Sequence, residues 1–242
     1  MNEAVEFLAA AVPSDLLLIA DHASNHIPEG IDLRIAPALL TEHVAADIGI
    51  EPLTRALAAR LGAPAVLARV SRLVIDFNRD PDETNLIPAI SDGHVIAGNA
   101  GLGEREREAR IERFWTPYHD LIGDRLDALR PAMIVSLHSF TPQLASRPHE
   151  ARPWEVGILY NQDDRAAQIA IPLLRAQGIV TGDNQPYSGR DLNATMNRHA
   201  ERRGIPYLGF EVRQDLIGDA RGVAQWAERL APIISRTCAA LA

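Results

Sequence analysis

Four stretches of the chain place ligand-type side chains directly behind apolar runs. His22 follows LLLIAD (16–21), Asn78 and Arg79 follow VIDF, His138 and Ser139 follow or close MIVSL, and Glu211 follows YLGF. Two histidines from different strands, with a carboxylate nearby, meet the usual requirement of a catalytic zinc site: three nitrogen or oxygen ligands and one position open to water. Metal lowers the pKa of such a water to about 7, and a free carboxylate can then take its proton as attack begins. Glu211 is the candidate base. A nearby arginine binds a substrate carboxylate bidentately, which lysine does less well. A lone histidine behind a strand is more often a hydrogen-bonded structural residue, so the weight lies on the four placements together.

Residues so far apart in sequence need a scaffold that gathers strand ends. Apolar runs bounded by polar turns recur with room for helices between them, the pattern of a mostly parallel sheet with crossover helices. The runs 16–21, 65–77, 133–140, 156–161 and 205–212 are the predicted strands, the second long enough to bend or split in two. Helical spacing (Val44, Ile48, Leu53, Leu57, Leu61) predicts a helix over 41–61, ending at Gly62 before Pro64. Further helices are predicted over 104–129, 163–177, 191–203 and 219–241. The stretch 80–103 has weak periodicity and many turn residues and reads as a long loop, and its glycines Gly98, Gly101 and Gly103 do not form a dinucleotide fingerprint. The expected architecture is α/β: residues 1–242 as one domain, a three-layer α/β/α sandwich around a mixed, largely parallel sheet. An open sheet of this kind binds ligands at the carboxyl ends of its strands, where the four stretches fall.

Composition removes several chemistries. All 24 basic residues are arginine, so no Schiff-base lysine, lysine-anchored pyridoxal phosphate or Walker P-loop can be built. A net charge of −8 argues against nucleic acid as a partner. The single cysteine, Cys238, excludes an internal disulfide and multi-cysteine metal sites, and reads as a small buried hydrophobe. The opening MNEAVEFLAA carries acids where a signal peptide needs positive charge, and no run of 18 apolar residues follows, so a cytoplasmic protein away from membranes is expected. Ser24 or Ser139 with a histidine would suit a serine hydrolase, but no G-x-S-x-G elbow exists.

Taken in order, DHASNHIP (21–28), HVAADIG (43–49), SRLVIDFNRDPD (71–82), FWTPYHD (114–120), LHS (137–139) and LGFEVRQDL (208–216) resemble N-formylglutamate amidohydrolases, over about 15 to 235. Three of the pieces more distantly resemble the zinc carboxypeptidase and aspartoacylase superfamily. The resemblance implies one zinc ion with His22 and His138 as ligands, Asn78 and Arg79 on a substrate carboxylate, Glu211 as base, and an N-acyl amino acid as substrate. Ser139 follows the second histidine, as in the family pattern, and Arg190, Arg198, His199 and Arg213 are candidates for a second carboxylate. The pattern asks for a carboxylate three residues after the first histidine, where this chain has Asn25. Asp47, four residues after His43 on the predicted helix 41–61, is the preferred third ligand, with Asn25 and His26 as alternatives. His119, beside aromatic residues on a predicted helix, reads as a packed histidine. Two other readings use the same residues: a carboxypeptidase-like peptidase with an open groove, or a metal-poor binding protein without turnover, which Asn25 would favour.

Overall fold

Leu16–Ala20, Met133–Phe140 and Val156–Leu159 are buried at every position, as strands covered on both faces must be. They belong to a computed structural model that describes residues 3–241. Its first half runs β1 (Val5–Leu8), β2 (Leu16–Ala20), α1 (Ile50–Leu61), β3 (Ala65–Ala68), β4 (Ile90–Ser91), β5 (His94–Val95), α2 (Glu104–Arg110) and α3 (Thr116–Leu129). Its second half runs β6 (Met133–Phe140), β7 (Val156–Leu159), α4 (Arg165–Ala176), β8 (Thr181–Asp183), α5 (Ala194–His199), β9 (Tyr207–Arg213) and α6 (Ala220–Leu241).

Seven strands form one mixed sheet in the order β1-β3-β2-β6-β9-β7-β8. The pairs β3–β2, β2–β6, β6–β9 and β7–β8 are parallel, whereas β1–β3 and β7–β9 are antiparallel. Alternation along each strand divides the core. Leu16, Leu18, Met133, Val135, Leu137, Phe210 and Val212 pack with Leu53 and Leu57 of α1, Leu174 of α4 and Trp226, Leu230 and Ile234 of α6. Leu17, Ile19, Ile134 and Tyr207 face the other way, onto Phe114, Tyr118, Ile122 and Leu126 and onto the stretch Val70–Phe77. These are the three expected layers. Among the described residues no helix is long and apolar enough to cross a membrane.

Several predicted elements change extent. The helix expected over 41–61 begins only at Ile50, because Gly49 sits at φ +81° and breaks any earlier helix. The run 65–77 is strand only to Ala68; the chain then turns, with the Ser71 hydroxyl donating to the Ala45 carbonyl at 2.7 Å. Over 104–129 the helix is interrupted by a π segment, Ile111–Trp115, and over 191–203 the α-helix shrinks to α5 followed by a 3-10 turn at Glu201–Arg203. The stretch 80–103 carries the β4–β5 hairpin, turned by Asp92 and Gly93 at φ 42° and 84°, the left-handed pair that a two-residue hairpin demands. The Asp92 carboxylate accepts from His43 Nε2 (3.1 Å) and from the amides of Ala145 and Ser146 (both 2.9 Å), fixing the hairpin beside the ends of the central strands. β1 and β8 were not among the predicted strands, being short elements at the two sheet edges.

Gly49 also lies tight against the chain near its other end, since a Cβ there would collide with the Ile217 carbonyl. Gly49→Ala is expected to cost at least about 1 kcal/mol through the left-handed backbone alone. Thermal unfolding should register this as a fall of several degrees, about 2–4 °C for each kcal/mol in a chain of this size.

Candidate metal centre and active site

Three chain segments meet where β2 and β6 end. His22 lies two residues beyond β2, His138 lies within the last turn of alternation of β6, and Asp47 comes from the turn that precedes α1. Asp47 is fixed by its backbone as well as its side chain: its amide donates to the His22 carbonyl at 3.0 Å, and its Oδ2 accepts from the Ser139 amide at 3.1 Å. That same Oδ2 faces Nδ1 of His138 at 3.0 Å and Nδ1 of His22 at 3.4 Å. One ligand atom from each of His22, Asp47 and His138, all buried, falls within 4.8 Å of the others, a group that could hold a metal ion. Asn25 and His26 are exposed, and the Asn25 amide donates to the Leu40 carbonyl at 2.8 Å.

The far nitrogen of each histidine meets a further carboxylate. His22 Nε2 is 2.7 Å from Asp76 Oδ1, and His138 Nε2 is 3.3 Å from Asp21 Oδ2. Such carboxylate–histidine pairs fix the ring and its tautomer so that the other nitrogen is presented to a metal. The carboxylates are themselves held. Tyr118 donates to Asp21 Oδ1 at 2.6 Å, the Asn78 amide donates to Asp76 Oδ1 at 3.0 Å, and Arg72 reaches both Asp76 Oδ2 (2.9 Å) and Asp47 Oδ1 (3.2 Å).

Charge explains what this cluster requires. Asp21, Asp47 and Asp76 are buried around a single guanidinium, Arg72, leaving two negative charges unmatched. Burial alone would raise these carboxyls, yet all three lie below their ordinary values: His138 and His22 hold down Asp21, the two histidines with Arg72 hold down Asp47, and Arg72 with His22 holds down Asp76. Burial likewise opposes the charged histidines, but the carboxylates prevail, so His22 is raised and His138 is raised well above the usual histidine range. Positive charge on His22 and His138 is thereby favoured, which works against the deficit. A divalent cation carries charge of the same sign, and two imidazoles with one carboxylate are a donor set that zinc accepts. His22 Nδ1, buried with no hydrogen-bond partner, fits that use.

Glu211 stands beside this group because β9 pairs with β6 in the register His138↔Glu211. Its Oε2 is buried without a partner, and burial pushes the carboxyl up to about 7 against the opposing pull of His138. Both residues line a cavity of about 220 Å³ with His22, Asp47, Asn78, Arg79 and Ser139. The segment Phe77–Arg79 is clamped from behind: His119 Nε2 lies 3.0 Å from the Phe77 carbonyl, the Thr195 amide donates to Asn78 Oδ1 at 3.0 Å, and the Trp115 indole donates to the Arg79 carbonyl at 3.0 Å. Trp115 closes the π segment, and His119 is a packed histidine, paired with His199 at 2.9 Å. Arg79 meets Glu83 at 3.1 Å. The Ser139 hydroxyl is taken by the Ile48 carbonyl at 2.9 Å.

The structure leaves the proposed second set of cations outside the cavity. Arg213 turns to Asp215 at 2.8 Å, Arg198 turns to Asp80 at 2.9 Å, and Arg190 is exposed. Conversely Asp21, Asp76, Arg72 and Tyr187 belong to the site and were not singled out from the sequence. The available signal was adjacency, since Asp21 precedes His22 and Asp76 lies two residues before Asn78.

The model of the N-formylglutamate amidohydrolase family matches residues 14–218. The chain belongs to that family. A curated relative, N-formylglutamate deformylase of Pseudomonas putida, is 36% identical over 104 residues, covering 37% of this chain and 38% of its own length. The protein of the same name from Pseudomonas aeruginosa is 31% identical over 157 residues, covering 57% of this chain and 56% of its own. The chain thus spans less than two thirds of the curated relatives it matches. A crystal structure of a gene product from Agrobacterium tumefaciens superposes with a TM-score of 0.92 at 32% identity, over 99% of this chain and 96% of that one. N-formylglutamate amidohydrolase from Ralstonia eutropha shares the fold, with a TM-score of 0.74 at 18% identity over 99% and 98% of the two chains.

If Asp76 and Asp21 orient His22 and His138, removing their charge should weaken metal binding while sparing the candidate ligands. Asp76→Asn and Asp21→Asn are each expected to lower affinity for a divalent cation about 10–100-fold, read by competition with a chromophoric chelator. Affinity unchanged in both would show that the rings are held by packing alone.

Proposed function

We propose that this protein hydrolyses the linear amide of an N-acyl amino acid such as N-formylglutamate, using one zinc ion held by His22, Asp47 and His138. The observation that carries the reading is the convergence of those three buried ligand atoms within 4.8 Å, with the unpartnered Oε2 of Glu211 on the same cavity wall. Relatives named N-formylglutamate deformylase support the substrate class. The cavity of about 220 Å³ is smaller than the ~300–1,000 Å³ of sites for drug-sized ligands and suits an amino-acid derivative better than a peptide. Asn25 loses its force as an argument for a metal-poor binder, because Asp47 offers the carboxylate that the family pattern asks for and that Asn25 does not supply.

Zinc bound there supplies Lewis acidity toward the acyl oxygen and toward an attacking water. The remaining work falls to side chains. Glu211 accepts the water's proton at Oε2 and returns it to the leaving nitrogen, so that the amide and water become a carboxylic acid and a free amine. A carboxyl near 7 is matched to taking and giving a proton at neutral pH. Arg79, with its backbone clamped by Trp115, and Asn78 hold a substrate carboxylate at the side of the cavity. Because the base must start ionised, activity falls as the pH drops through the range in which Glu211 takes up its proton.

The test is turnover of N-formylglutamate by zinc-loaded protein, read as release of formate, in the wild type and in Glu211→Gln. The variant should keep zinc, melting temperature and KM while kcat falls by ~10²–10⁴. A wild type that releases no formate, or a stable, zinc-loaded Glu211→Gln with full turnover, contradicts the reading.

A further inference from the structure

Tyr187 lines the same cavity as Glu211 and has no part in the roles above. It stands on the segment that follows β8, and that segment is seated directly on the sheet. Asn184 Oδ1 accepts from the amides of Tyr160 and Gly189, both at 3.0 Å. A Cβ at Gly157 or at Gly182 would collide with the Gln185 carbonyl, and one at Gly189 with the Tyr160 backbone. Gly157 is also the register partner of Glu211, and a Cβ there would lie 3.3 Å from that of Glu211. The tyrosine is therefore presented by backbone packed against the strand pair that carries the base.

Arg152 sets the direction of its hydroxyl. The Arg152 side chain is 0% exposed, and its Nη1 donates to Tyr187 Oη at 3.0 Å and to the Thr141 carbonyl at 3.1 Å. Its Nε and Nη2 make no hydrogen bond, although Glu150 Oε1 lies 3.5 Å from Nε. A guanidinium only donates, so the phenol oxygen must accept, and the phenol's one proton is left for another partner. No acceptor among the described residues takes it. Burial, and after it the charge of Glu211, keeps that proton on the phenol against the pull of Arg152. Arg72 also lies within electrostatic reach. The free donor is thus set among the groups that would surround the reacting amide, whereas Asn78 and Arg79 sit on a separate segment held by Trp115 and Thr195.

We propose that Tyr187 is a further catalytic residue: its hydroxyl, oriented and polarised by Arg152, donates a hydrogen bond to the acyl oxygen of the substrate as negative charge develops there. The inference rests on the amidohydrolase reading above. A donor fixed before the reaction and aimed at developing charge contributes mainly to the transition state, and acceptance from a cation strengthens the donor on the same oxygen.

Tyr187→Phe removes the hydroxyl and keeps the ring. In the zinc-loaded enzyme on N-formylglutamate, kcat should fall about 10²-fold while KM stays within about twofold, with zinc content and melting temperature measured on the same samples. Arg152→Gln, with the phenol retained, should lower kcat by a smaller factor in the same sense. Wild-type kcat in Tyr187→Phe overturns the proposal and leaves the amidohydrolase reading standing. A raised KM with unchanged kcat also overturns it, by making Tyr187 a reader of a ground-state carboxylate. A wild type that hydrolyses no N-acyl amino acid removes both.

Discussion

Asp47 Oδ2 is the atom on which the site depends. Four groups from three segments address it or its partner oxygen: the Nδ1 atoms of His22 and His138, the Ser139 amide and, through Oδ1, the Arg72 guanidinium. A buried carboxylate is stable only when its charge is met, and removing a partner from such a cluster costs several kcal/mol. The surrounding architecture follows from meeting it. The left-handed Gly49 stops α1 from starting early and lets the preceding turn swing Asp47 between β2 and β6, while the parallel β6–β9 pairing brings Glu211 level with His138.

The apolar runs and their order made the sheet and the three layers readable from the chain, because strands buried on both faces must be continuously hydrophobic. His22, His138 and Glu211 stood out for the same reason, as polar residues where such runs end. Asp47 was picked out on a helix that does not exist there: Val44 and Ile48 have helical spacing, but the buried Val44 and half-buried Ile48 belong to a turn, and the backbone freedom of Gly49 separates the two cases. Asp21 and Asp76 were hidden because an acid at the edge of an apolar run looks like a strand terminus, and nothing local reveals that it faces the far nitrogen of a histidine. Arg213 was misleading in the opposite way. It shares strand parity with Glu211, yet Asp215 two residues on captures its guanidinium.

The deepest part of the site is a structural charge cluster and its rim is where ligand recognition would act. Asp76 and Arg72 spend their hydrogen bonds on His22, on Asp47 and on each other, and Asp21 Oδ1 accepts from Tyr118. Glu211 Oε2, His22 Nδ1 and the Tyr187 proton are among the groups left unspent on the cavity. Buried polar groups are normally satisfied, so unspent ones gathered in a single cavity mark the place where substrate, metal or water completes the network.

Three buried carboxylates, Asp21, Asp47 and Asp76, share the Arg72 guanidinium, and the raised His22 and His138 favour protons there that a bound divalent cation would displace. Calorimetric titration of metal-free protein with zinc at pH 7, run in two buffers of different ionisation enthalpy, measures this directly. The expected result is one zinc per chain with release of protons. Failure to bind zinc, or binding that releases no protons, would contradict it.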